Sequence, residues 1–340
     1  MRTRNAQAPV TIKDIARKLS LAHTTVSRAL NDHPRISVET KERVRLAAKD
    51  LGYIANLGAR SMRRGTANVV GLIVPDIQNE FYSAAARAMA EQCTASGYHL
   101  ILGISEDDPD REEQHVRTLR ESLVAGVLIS PSPKPTDSTI DLLESVTTVQ
   151  ILRYNKRLGS LIVRADDRRS ISTCTRHLID LGHRRIGYIG PPTRVSTGRQ
   201  RYEGFKAAMK AASLEIDSSL HAFDAPRPEC GEAAFERIYK CSPPPAAIVV
   251  ASSRLVLGVL RAARRRGLQI PKALSLIVYG DSDWFSVCTP AISAATLPIE
   301  EMSKTATRML FDSLAPEDSP SLRKKRVVFP TRLVIRSDIG

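Results

Sequence analysis

The sequence predicts a small all-α unit of helix-turn-helix type, followed by a larger α/β unit of two lobes built on parallel sheets. Three observations predict it. Apolar residues in the first 55 positions recur at helical spacing. From residue 69 onward, short apolar runs alternate with amphipathic stretches, the pattern of strands and covering helices. Charge is unevenly spread as well: residues 1–65 hold 14 Lys and Arg against 5 Asp and Glu, so this fifth of the chain carries +9 of the total +14.

The N-terminal elements follow in order. Ile12, Ile15, Ala16 and Leu19 fall at i, i+3, i+4 and i+7, and Thr11 with Asp14 three residues later is a capping-box variant. A second helix over 23–30 turns Val26, Ala29 and Leu30 inward and His23, Thr24, Ser27 and Arg28 outward. Val44, Ala47, Ala48 and Leu51 mark a third helix that closes the core. Three short helices under a basic excess are the footprint of a double-stranded DNA reader. Arg28 can bond guanine O6 and N7 bidentately, while His23 and Thr24 open the same helix and choose among bases. Arg35, in the loop before the third helix, joins them as a base reader or contacts phosphate instead.

In the larger unit the run Val69-Val-Gly-Leu-Ile-Val74 reads as a buried parallel strand. Further strands are expected over 98–104, 124–130, 147–152, 185–190, 246–251 and 275–280, with a final one over 326–335. Helices are expected near 82–96, 110–122, 168–181, 200–213, 230–240, 254–266 and 299–314. These are too many strands for one small sheet, hence two lobes. With 340 residues and 42% hydrophobic content, the chain can bury cores of that size. No run of 18 apolar residues and no apolar leader occur, so a cytoplasmic protein without membrane contact is expected. The five cysteines are scattered and odd in number, without C-x-x-C, so no metal or disulfide framework is expected, and no cofactor. The motifs G-x-S-x-G, G-x-G-x-x-G, the Walker loop and H-E-x-x-H are missing, which speaks against an enzyme.

The segment T-I-K-D-I-A at 11–16 and T-V-S-R-A-L-N at 25–31, continued by A-R-S-M at 59–62, resembles the lactose/galactose repressor family of bacterial regulators. The likeness extends to V-P-D-I-Q-N-E-F-Y at 74–82, H-L-I-D-L-G-H-R-R-I at 177–186, R-Y-E-G-F at 201–205 and T-P-A-I-S at 289–293. It implies a homodimer on a pseudo-palindromic operator, a sensor similar to periplasmic sugar-binding proteins, and a small carbohydrate-like effector. The expected division is a DNA-binding domain over 1–55, a hinge over 56–66 and a sensor over 67–340. Within the sensor, one lobe is expected to take about 67–165 and 292–325, the other about 166–291 and 326–340.

Residue by residue, the resemblance makes Thr25, Ser27 and Asn31 phosphate anchors. It sets Asn56, Ala59, Arg60 and Met62 in the minor groove, Met62 as an apolar wedge between base steps. Two departures weaken the reading unit locally: the capping position before the second helix is Ala22, and the preceding turn holds Ser20 where a glycine is usual.

Ligands of α/β sheets sit beyond the carboxyl ends of the strands. There this chain places Asp76 and Phe81, Arg153 and Tyr154, Asp167, Arg201, Ser252, and Asp281 with Trp284. Arg201 matches the effector-binding arginine that the resemblance implies, and Trp284 is available to stack on a sugar ring. Arg153 stands where an Asp is common, and Ser252, Ser253 and Gly280 thin the remaining acidic positions. Two unpaired guanidinium groups would then favour an anionic effector, a sugar acid or sugar phosphate. A sensor that binds nothing and serves only dimerisation is the alternative.

Overall fold

The computed structural model describes residues 10–53, 68–314 and 325–339. The chain forms two compact units, Met1–Gly65 and Thr66–Gly340. Asn56, Ala59, Arg60 and Met62 lie outside the described residues.

The first unit is three helices around one apolar centre: α1 (Ile12–Leu19), α2 (His23–Leu30) and α3 (Val38–Asp50). Ile15, Ala16, Val26, Ala29, Val44, Ala47 and Ala48 are buried together. Asp14 accepts from both the Thr11 N–H (2.9 Å) and the Thr11 hydroxyl (2.7 Å), which fixes the start of α1. Ser20 takes the left-handed conformation that the turn demands, with φ 53°. Ala22 gives α2 no side-chain cap, a loss of about 1 kcal/mol against Ser or Thr there.

The second unit holds two six-stranded sheets. The first contains β1 (Val69–Val74), β2 (His99–Ile104), β3 (Gly126–Ile129), β4 (Thr147–Ile151), β5 (Ile162–Ala165) and β11 (Arg326–Phe329). Their order is β11-β5-β4-β3-β1-β2, every pairing parallel. The second contains β6 (Ile186–Gly190), β7 (His221–Phe223), β8 (Ala247–Val250), β9 (Ser275–Tyr279), β10 (Ala294–Thr296) and β12 (Arg332–Val334), in the order β12-β10-β9-β8-β6-β7. Parallel strands need crossovers. These are α4 (Glu80–Ala95), α5 (Pro109–Glu121) and α6 (Asp137–Glu144) for the first sheet and α8 (Ser196–Ala211), α9 (Pro228–Tyr239) and α10 (Ser253–Arg265) for the second, while α7 (Asp167–Asp180) and α11 (Ile299–Leu314) lead from one sheet to the other. Among the described residues no helix is long and apolar enough to cross a membrane.

Three expectations are corrected. The final run over 326–335 is two strands in different sheets, because Pro330 stands between them and cannot donate to a ladder. The chain therefore changes lobe near 297–298 and again near 330–331, so β10 belongs to the second lobe and β11 to the first. The second sheet is also not wholly parallel: β12 runs antiparallel to β10. The short strands β5, β7 and β10, with helix α6, are additions that no expected element covered.

The chain's end is tied in by a buried carboxylate. Asp338 is 0% exposed; one oxygen accepts the Ser293 N–H at 2.7 Å, while the other is buried without a partner. Burial pushes its pKa up to about 6. The folded state thus holds this proton more tightly than the unfolded chain, and the resulting stability is lost as pH rises through about 6. We expect the melting temperature to fall between pH 4 and 7, and Asp338→Asn to flatten that fall. An unchanged pH profile in the variant would contradict the assignment.

Candidate nucleic-acid face and effector cleft

On α2 the residues expected to read bases stand outward: His23, Thr24 and Arg28 are exposed, backed by buried Val26 and Ala29. Arg35 is exposed in the loop that follows. Thr25 is half-buried. Ser27 departs from expectation. It is 7% exposed, next to buried Val26 on the same helix. Asn31 ends the helix, and its amide donates to the Ser27 carbonyl at 2.7 Å, so part of its polar capacity serves the cap.

The cleft of the larger unit is built from strand ends. β1 has β2 and β3 on opposite sides, and β6 has β7 and β8, so loops leaving these strands diverge and open a crevice. A cavity of about 130 Å³ lies there, opening onto an outer cleft of about 920 Å³. Asp76 and Phe81 reach the cavity from beyond β1, Arg153 from beyond β4, Arg201 from α8, Ser252 from beyond β8 and Asp281 from beyond β9. Six of the nine expected effector residues therefore share one cavity.

The other three do not line it. Asp167 is 1% exposed and stands behind Arg201. Tyr154 lines a neighbouring depression; its N–H donates to Ser196 Oγ and its hydroxyl accepts from Gln200. Trp284 packs edge-on against Phe285 at 4.5 Å, at the margin of the second lobe's core. It sits on a short 3-10 turn, Asp283–Ser286, that carries it away from the strand end.

The arginines converge as expected but are not unpaired. Arg201 donates to Asp167 at 2.7 Å and to the Ala251 carbonyl at 2.9 Å, and its guanidinium lies 3.7 Å from the Tyr279 ring centre. Burial alone would lower its pKa, but Asp167 together with Tyr279 and Tyr188 outweighs burial and the pKa is raised. Arg153 is 5% exposed and holds Asp107 through both guanidinium nitrogens. There too burial works against the charge, and Tyr82 with Asp107 reverse the balance. Asp281 receives two bonds of 2.9 Å from Arg336 and one of 3.0 Å from Thr296. Across the mouth, Arg254 of α10 donates to Gln78 at 2.7 Å and lies 3.7 Å from Asp76, joining one lobe to the other. Each guanidinium lining the inner cavity thus faces a carboxylate, and the argument from an unpaired Arg153 and Arg201 to an anionic effector loses its premise.

Asp107 is the residue that sequence reasoning missed. It follows β2 inside the acidic run 106–108, where the strand-end rule would have found it. Its φ of 62° shows a left-handed backbone held in place by the loop. Tyr82, Thr197 and Tyr279 also line the cavity and were not singled out, since each reads in sequence as ordinary core or helix.

Comparison with known proteins assigns the two units separately. Residues 11–56 match the family described as bacterial regulatory proteins, lacI family, and residues 175–337 match the periplasmic binding protein-like domain. The chain is 28% identical over 331 residues to the HTH-type transcriptional repressor PurR of Haemophilus influenzae, covering 97% of this chain and 98% of that protein. It is 26% identical to the HTH-type transcriptional repressor CytR of Escherichia coli over 92% of each. Among solved structures, the transcriptional regulator CelR in complex with cellobiose superposes with a TM-score of 0.72 at 25% identity, over 97% of this chain and 99% of that one. The Lac repressor dimer bound to operator shares the fold, with a TM-score of 0.84 at 19% identity over 98% of this chain and 100% of that one. A three-helix reader and a two-lobed cleft in one polypeptide, each matched along these lengths, make the assignment: the chain belongs to the lacI family of bacterial regulatory proteins and is a DNA-binding transcriptional regulator, not an enzyme.

Proposed function

We propose that this regulator is a repressor that binds a pseudo-palindromic operator as a homodimer in the cytoplasm, and that a small carbohydrate-like effector entering the cleft changes its grip on DNA. The observation that carries the effector reading is the paired lining. Arg153 and Arg201 on the cavity wall are paired with Asp107 and Asp167, and Asp76 and Asp281 are met by Arg254 and Arg336, so donors and acceptors stand side by side with these charges matched in pairs. A hydroxyl both donates and accepts, and a neutral polyol can engage such pairs without leaving a charge unmatched. The sugar-acid expectation yields here to a neutral sugar or nucleoside. The relative solved with cellobiose supports that class.

Dimerisation is supported by the sheet edges. β2 and β7 are edge strands, and Ile101, Leu102 and Phe223 on them are 44%, 40% and 37% exposed. Open apolar edges of this kind invite a partner. The domain and hinge boundaries, the minor-groove roles of Asn56, Ala59, Arg60 and Met62, and the phosphate roles of Thr25, Ser27 and Asn31 belong to this proposal.

Direct readout is tested at Arg28. Arg28→Ala should cost about 1–3 kcal/mol on the operator and leave binding to a scrambled duplex nearly intact. Gel shifts on both duplexes at one fixed salt concentration measure the difference. Equal losses on the two would make Arg28 a phosphate contact.

A further inference from the structure

The cations without partners lie beside the effector cavity, not in it. A second depression, of about 570 Å³, opens between the loops after β3 and β4 and the first turn of α8. Buried Arg153 is the wall it shares with the cavity. Lys156, Arg194 and Arg199 line it with exposed side chains, and no carboxylate does. Among the described residues none of these three makes an ion pair, whereas Arg153, Arg201, Arg254 and Arg336 next to them each have one. Three like charges around one concavity repel each other unless an anion sits between them.

The neutral groups of the depression are donors as well. Ser196 is 6% exposed and accepts the Tyr154 N–H at 3.0 Å, so its own hydroxyl proton is left without an acceptor among the described residues. The Tyr154 hydroxyl likewise accepts from Gln200 at 2.9 Å and keeps its proton to give. Ser196 opens α8, whose capping residue Val195 has no side chain to receive the first-turn N–H groups and whose first turn holds no acid. Ser132 is committed elsewhere, donating its hydroxyl to buried Glu112 at 2.7 Å, and Asn155 accepts the Arg157 N–H at 3.0 Å.

We propose that this depression is a second ligand site, selective for a compact multivalent anion of phosphate type. Concavity separates it from a DNA-tracking surface: it encloses a volume typical of small-molecule pockets, and one of its walls is a buried side chain. The group bound is either a free phosphate acting beside the effector or a phosphate carried by the effector itself. The proposal does not depend on which sugar, if any, fills the cavity.

The test uses the full chain and inorganic phosphate. Phosphate should raise the melting temperature saturably, beyond sodium chloride of equal ionic strength. Removing guanidinium groups in Arg194→Ala/Arg199→Ala should weaken it about tenfold for each one lost, with operator affinity in phosphate-free buffer unchanged. Both side chains are exposed and unpaired, so the double variant keeps its fold. A shift no larger than that of chloride overturns the proposal. So does a saturable shift that the double variant retains, because the anion would then be bound elsewhere, on the basic DNA-reading unit. Glucose 6-phosphate distinguishes the two sources. Tighter binding than phosphate, lost in the variant, means that the effector carries the group; equal binding means a free anion. If neutral sugars never bind, only the effector reading fails, and the phosphate result still stands.

Discussion

Arg201→Ala should destabilise the larger unit by about 3–5 kcal/mol, a loss far beyond that of an ordinary surface substitution. The guanidinium is 6% exposed and its partner Asp167 is 1% exposed. Removing the arginine leaves a carboxylate without its counter-charge in a site closed to water, and strands the Ala251 carbonyl that it also held. Removing both charges is a different experiment. Arg201→Met with Asp167→Leu leaves no buried ion and should recover much of the loss, giving a large coupling energy in a double-mutant cycle. Unfolding followed by the fluorescence of Trp284, the sole tryptophan, reads the second lobe directly. A cost below about 1 kcal/mol for the single change would mean that water reaches Asp167. Arg201 is therefore an ambiguous probe of effector binding; Ser252, buried on the cavity wall without a charge partner, is the cleaner one.

Gly258→Ala should cost about 3 kcal/mol, at the upper end of overpacking. Gly258 on α10 and Gly231 on α9 lie where the two helices press together backbone to backbone. A Cβ at Gly258 would stand 1.8 Å from the Pro228 carbonyl oxygen, and one at Gly231 would stand 2.1 Å from the Leu255 oxygen. The neighbours are main-chain atoms, so no side chain can swing aside and the helices must separate. α10 also carries Arg254, which spans the cleft mouth, so separation should loosen the interlobe contact as well. Thermal unfolding of the variant measures the first effect. A melting temperature within 1–2 °C of the parent would show that the helices give way freely.

These two effects also mark where the sequence stops being legible. Long periodic segments read well: all three helices of the first unit, the seven longer helices of the second, and the strands from β1 to β4 and β6, β8 and β9 follow from apolar spacing and punctuation. Strands of three residues such as β7 and β10 are too short to show a period, and β11 and β12 were merged because both flank a single proline. Glycines at a helix crossing look like any weak helix former until the partner helix is known. The cleft was legible by position, since residues beyond strand ends can be counted off, and six of nine landed in the cavity. Pairing was not legible. Arg153 and Asp107 are 46 positions apart, Asp281 and Arg336 are 55 apart, and no local pattern announces such contacts. Charge state in a pocket depends on partners rather than composition, which is why the anionic reading followed from the sequence and the neutral one from the structure.

The measurement that tests the account most directly is operator binding as a function of effector. The operator would be taken from footprinting of the DNA around the protein's own gene and labelled for fluorescence anisotropy at fixed salt. The full chain would then be titrated alone and in the presence of neutral mono- and disaccharides, nucleosides and their acid or phosphate counterparts. The account predicts tight, sequence-selective binding that at least one neutral compound changes tenfold or more, about 1.4 kcal/mol of coupling, with the change abolished by a bulky residue at Ser252. Operator binding that no compound alters would contradict it, and would make the cleft a scaffold for dimerisation alone.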